Sequence, residues 1–175
     1  MTKLRKTVIC AACIAICVVL PLAFHTIPNG GNLFSPLHIP VLLCGIGCGP
    51  LYGGICGLFG ALLSSVITGM PPVAYLPAML VELFVYGLAS GMFMKYLKTG
   101  KYYADLYISL VSAMLLGRIM GGASKAFIFA AGELTFAAFF TSYFVVSLPG
   151  IVIQLILIPL IAAALKRSKL IPEKY

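Results

Sequence analysis

Two cationic side chains, Arg118 and Lys125, sit inside one long apolar stretch of this chain, and two carboxylates, Glu82 and Glu133, lie in or beside others. No other feature constrains the fold as much. The sequence is 62% hydrophobic and only 9% charged, with a mean hydropathy of +1.11. A chain so uniformly apolar uses lipid as its solvent. An ionisable group in hydrocarbon costs about 2.5–3.5 kcal/mol on insertion scales, so such groups usually face a cavity, a partner or a substrate. The expectation is a small all-α membrane protein with a polar interior, and its function is to be sought in that interior.

At about 20 residues per spanning helix, 175 residues accommodate about six helices with short connections. The apolar runs fall at about 7–24, 38–48, 51–68, 73–94, 105–130 and 137–165. The first follows Lys3, Arg5 and Lys6. Because five further runs succeed it, it is read as a helix and not as a cleaved signal peptide. The stretch from His25 to Pro36 is uncharged and rich in turn formers, namely Pro28, Asn29, Gly30, Gly31 and Asn32. Gly49-Pro50 marks a tight turn between the second and third runs. The 11 residues of 38–48 are too few to cross about 30 Å. That helix is therefore either short, with its flanking loops buried in protein, or half of a broken element. Basic residues cluster at Lys3/Arg5/Lys6, Lys95/Lys98/Lys101 and Lys166/Arg167/Lys169, all at ends of apolar runs. By the positive-inside rule this gives six crossings with both termini cytoplasmic in the cell membrane. The same distribution argues against a nucleic-acid partner, despite a net charge of +8.

Cys10, Cys13 and Cys17 lie in the first run, and Cys44, Cys48 and Cys56 in the second and third. The CxxC at 10–13 and CxxxC at 44–48 superficially resemble a zinc box. Inside a membrane, however, Cys behaves as a small apolar residue that packs well, so neither metal nor cofactor is expected. Gly45, Gly49, Gly53 and Gly57 recur every fourth position, although Pro50 interrupts any continuous stripe. Gly117 and Gly121 repeat the small-xxx-small spacing that lets helix backbones approach in lipid. The sequence contains no GxxxxGK[ST] phosphate loop, no HExxH and no GxSxG. Enzymatic activity is not expected, and any energised process draws its energy from another protein.

Depth follows from the helix rise of about 1.5 Å per residue. Glu82 lies about 13 Å inward from an outer helix start at Val73, and Arg118 about 20 Å above an inner start at Asp105. Both fall in the outer half of the membrane. Either Arg118 meets an anionic group in a cavity open to the outside, or it pairs internally with Glu82 and orients helices. Arginine suits a carboxylate because its planar fork presents paired donors and stays charged. Lys125 contacts ligand or snorkels to the interface. Asn29, Asn32, His38, Thr68 and Tyr75 surround the outer loops, where each points at a ligand or caps a helix. Glu133 is read as solvated at an outer loop, and Gln154 as a helix–helix hydrogen-bonding residue in the inner half of the last span.

The residues then resemble a known family. The first helix carries Ala11-Ala12-Cys13-Ile14-Ala15, matching an AxxxA pattern at Ala11 and Ala15. The segments Phe34-Ser-Pro-Leu-His-Ile-Pro40, Ser65-Val-Ile-Thr-Gly-Met-Pro-Pro72 and Leu148-Pro-Gly-Ile-Val-Ile-Gln154 are also similar to stretches seen there. The chain resembles the substrate-binding S component of an energy-coupling factor (ECF) transporter, a vitamin-uptake family of prokaryotes, in its pantothenate-like branch. That resemblance implies one vitamin bound from outside beneath the loops after the first and third spans. It implies docking through Ala11 and Ala15 onto a transmembrane coupling subunit that works with two ATPase subunits. It implies, further, that the loaded subunit topples in the membrane to release its cargo inside. Pantothenate would offer a carboxylate to Arg118 and hydroxyls and an amide to Asn, Thr and Tyr side chains. The same scaffold for a pyridine, corrinoid or deazapurine compound, and a non-transport structural or assembly protein, stay open at this point.

Overall fold

Proline and glycine set the helix boundaries in this chain. The computed structural model describes residues 1–23, 30–128, 140–168 and 170–171, apart from the side chains of Asn32 and Tyr143. Its helices are α1 (Lys3–Ala23), α2 (Gly30–Phe34), α3 (His38–Cys48), α4 (Pro50–Thr68), α5 (Leu76–Tyr96), α6 (Tyr102–Ile128) and α7 (Leu148–Arg167). A π-helical turn at Thr141–Val145 precedes α7. Five of these, α1, α4, α5, α6 and α7, are long and apolar enough to cross a membrane. The sixth apolar helix, α3, is shorter. No strand occurs among the described residues.

Gly49 adopts φ 100°, a conformation that a side chain would strain, and Pro50 then starts α4 where its missing N–H costs nothing. At the far end Gly69 closes α4 in the left-handed conformation, its N–H bonded to the Ser65 carbonyl. The fourth span begins at Leu76, later than the apolar run at 73. Residues 72–75 form turns there, with Tyr75 N donating to Pro72 O at 2.9 Å. The fifth begins earlier, at Tyr102. Asp105 in its first turn accepts hydrogen bonds from Thr99 N (2.9 Å) and Thr99 Oγ1 (2.7 Å), which ties down the preceding loop. Residues 137–139 of the last apolar run lie outside the described residues, and the rest contains the π turn and α7, which begins at Leu148.

Helix α5 is central, packing on α3, α4 and α6, while α1 covers α3 and α4, and α7 reaches α2, α3 and α6. Nearly all of α3 is buried, from His38 and Pro40 through Cys48. This resolves the short second run: α3 meets protein, so its backbone ends need not be satisfied within lipid. Close approach onto α5 depends on glycine. A Cβ at Gly57 would lie 2.6 Å from the Leu83 carbonyl carbon, and one at Gly53 would collide with the Gly87 carbonyl. The every-fourth glycines thus serve two helices facing one partner, with Gly49 as the corner between them.

The cysteines pack on the opposite flank of α3. Cys10, Cys13 and Cys17 form the buried face of α1, and Cys44, Cys48 and Cys56 are buried across from them as free thiols. The Cys10 and Cys44 thiols both donate to the Tyr52 carbonyl at 3.5 Å. No group of three or more His, Cys, Asp or Glu among the described residues is arranged to hold a metal ion.

Candidate functional site

Helix α5 carries Glu82 and Tyr86 one turn apart on the same buried face. His38, the first residue of α3, meets both. Its Nε2 lies 3.3 Å from Glu82 Oε1, and its ring packs against Tyr86 at 4.6 Å between centroids and 87° between planes. A buried carboxylate without a partner is strongly unfavourable, and the imidazole answers that need. On the other side, α6 makes room. A Cβ at Gly121 would stand 2.7 Å from Glu82 Oε2, and one at Gly117 2.9 Å from Tyr86 Cγ. The small-xxx-small spacing of α6 therefore accommodates two large side chains of α5.

Arg118 lies between those glycines and is only 3% exposed. Its Nη1 donates to Ser147 Oγ, and its guanidinium carbon sits 5.8 Å from the centroid of the Phe144 ring. Ser147 is the residue before α7, placed there by the π turn that also carries Phe144. One turn on, Gly150 lies against the backbone of Leu33 and Phe34. Farther along α7, Gln154 Nε2 donates to the Ser35 carbonyl at 3.3 Å, and that carbonyl also accepts the His38 backbone N–H at 3.1 Å. Two linked groups of buried polar residues result, Arg118 with Ser147 and Gln154 with Ser35, His38 and Glu82, carried by α6, α7, the α2–α3 connection, α3 and α5; together they are termed the polar ring. It contains one guanidinium and one carboxylate, and the carboxylate's side-chain partner is His38. The internal Arg118–Glu82 pair considered from the sequence is thus replaced by a His38–Glu82 pair.

The other expected site residues fall elsewhere. Thr68 ends α4, where its Oγ1 donates to Ser64 O at 2.7 Å and accepts from Met70 N at 3.2 Å, which is the capping role. Tyr75 is half exposed, and Lys125 Nζ lies 5.2 Å from its ring centroid, so two residues considered separately form one cation–π pair at the rim. Asn29 and Glu133 lie outside the described residues, as does the side chain of Asn32. Ala11 and Ala15 are exposed on α1, turned away from its buried cysteine face.

Sequence reasoning overlooked Ser147, Tyr86 and Ser35. Ser147 directly before Leu148-Pro149 is a helix-start signature, and Tyr86 sits four residues after the buried Glu82; both signals were present. Gln154 is closer to its helix start than a span from 137 implies, because α7 begins at Leu148. It therefore lies level with Ser35, at the end of the bundle that holds the polar ring.

The family model described as the substrate-specific component of ECF transporters matches residues 5–162. The chain belongs to this family. No curated protein matches it. As an ECF substrate-specific component it is a multi-pass membrane protein, a substrate-binding subunit that works with an ECF module. The family is one of transporter components.

Proposed function

We propose that the polar ring is the substrate site and that the substrate is a vitamin carrying one carboxylate, with pantothenate as the best fit. The reading is carried by Arg118: a guanidinium buried inside an apolar bundle, beside a serine hydroxyl and an aromatic face, with Glu82 engaged by His38. Such a group presents paired donors to a carboxylate in a low-dielectric setting. In this proposal the ring opens to the outside of a prokaryotic cell membrane, and the chain crosses six times with both termini cytoplasmic. The positive residues near Lys3, Lys95 and Lys166 support that orientation. The exposed Ala11 and Ala15 of α1 dock on the coupling subunit, which relays the work of two ATPase subunits, and the loaded protein topples to release its cargo inside.

Thermal unfolding of the purified protein against a panel of vitamins tests this. A ligand at 100 times its Kd stabilises by about 2.7 kcal/mol, so pantothenate should raise the midpoint clearly. A shift with a pyridine, corrinoid or deazapurine compound instead would keep the uptake role and replace the ligand. No shift with any solute would favour a purely structural role for the buried charges.

A further inference from the structure

His38 is 3% exposed, and only one of its ring nitrogens has a partner among the described residues. Nε2 faces the Glu82 carboxylate at 3.3 Å, whereas Nδ1 is buried with no hydrogen-bonding partner among the described residues. A carboxylate only accepts, so in the neutral ring Nε2 carries the proton and Nδ1 is left as a bare acceptor. Gln154 repeats the pattern. Its Nε2 is committed to the Ser35 carbonyl, and its Oε1 is buried without a partner among the described residues. These two residues are neighbours, since the Ser35 carbonyl that holds the Gln154 amide also accepts the His38 backbone N–H. Each acceptor is fixed in orientation by the bond its other end makes. A buried acceptor without a donor is unfavourable, and here two occur on residues that share the Ser35 carbonyl.

We propose that His38 Nδ1 and Gln154 Oε1 are a paired acceptor that reads an O–H or N–H donor group on the substrate, at a place distinct from the anion position at Arg118. This rests on the ring being the substrate site, and it narrows the substrate class to a monoanion with hydroxyl, amine or amide donors away from its carboxylate. Ligands that present only acceptors or methyl groups there are rejected, because a site built to hydrogen-bond a donor leaves its own polar atoms unmet when the donor is missing.

The test compares pantothenate with analogues whose hydroxyls are replaced by hydrogen or by methoxy groups, measured by calorimetry on the full-length protein. The wild type should prefer pantothenate by about 10- to 100-fold. His38→Gln keeps a donor toward Glu82 but moves its acceptor oxygen off the Nδ1 position, so it should bring pantothenate down toward the affinity of the deoxy analogue and cost that analogue far less. His38→Asn places an oxygen near the Nδ1 position and should retain the preference. Gln154→Met, which keeps the side-chain length without an amide oxygen, should lose it. Binding of pantothenate by His38→Gln as tightly as by wild type, or an equal loss for both ligands, overturns the acceptor role and leaves the substrate site standing. A wild type that binds a panel vitamin lacking any O–H or N–H donor does the same. A wild type that binds nothing in the panel removes the substrate-site reading itself.

Discussion

Replacing Gly121 by alanine probes the polar ring through its packing. The added methyl would sit 2.7 Å from Glu82 Oε2, 2.8 Å from Glu82 Cβ and 2.9 Å from Glu82 Cδ. Comfortable non-bonded separations are about 3.5–4.0 Å, so something must move by roughly 1 Å. Rotating the carboxylate does not relieve the clash with Cβ, which is fixed to the α5 backbone. Either α5 and α6 separate or Glu82 withdraws, and its 3.3 Å contact to His38 is already near the limit of a hydrogen bond. Overpacking costs about 1–3 kcal/mol. Loss of a hydrogen bond to a charged group adds roughly 1.5–3 kcal/mol. The better helix propensity of alanine returns about 1 kcal/mol. The net loss is about 1.5–5 kcal/mol, and at about 2–4 °C per kcal/mol for a chain of this size the unfolding midpoint in detergent should fall by at least about 3 °C. Ligand affinity should fall with it. Gly54→Ala is the control: the atoms nearest its methyl belong to the ring edge of the half-buried Phe84, at 2.8 Å, a side chain and not backbone. A Gly121→Ala protein with unchanged midpoint and unchanged affinity would refute the packing account of Glu82.

Three further outcomes are expected. Arg118→Met should weaken binding of an anionic vitamin by at least about 30-fold by calorimetry, the effect of removing one member of a buried charged contact. It should also lower thermal stability, by about 1–3 kcal/mol, because the buried Ser147 hydroxyl loses its guanidinium partner. Arg118→Lys, without the planar fork, should fall between wild type and Met. Thr68→Val removes the Oγ1 bonds that close α4 and should lower stability by about 1 kcal/mol while leaving affinity within about twofold, read from paired melts and titrations. Ala11→Leu with Ala15→Leu should abolish co-purification with the coupling subunit and leave vitamin affinity unchanged, since both alanines lie off the buried face of α1.

The helices were readable because lipid imposes length and composition on any segment that crosses it, and α4 ends at Thr68 where its apolar run ends. The start of α7 was not readable from hydropathy, since the residues of the π turn, Thr141–Val145, include apolar side chains much like those of the helix that follows. Arg118 and Glu82 stood out because charge in an apolar run is rare. Their partners did not, because nothing local ties Arg118 to Ser147 or Glu82 to His38, which are 29 and 44 residues distant.

Composition and the placement of charge alone determined that this chain dissolves in lipid, is all helix, and keeps a few polar groups away from the hydrocarbon. Which of those groups meet was decided by tertiary packing. Gly117 and Gly121 could have brought two backbones together, and instead admit Tyr86 and Glu82. The buried short helix α3 then delivers His38 to that carboxylate and leaves Arg118 facing Ser147. The physical reason is that burial makes every polar group require a partner, whereas only the three-dimensional meshing of helices fixes which partner lies within about 3 Å.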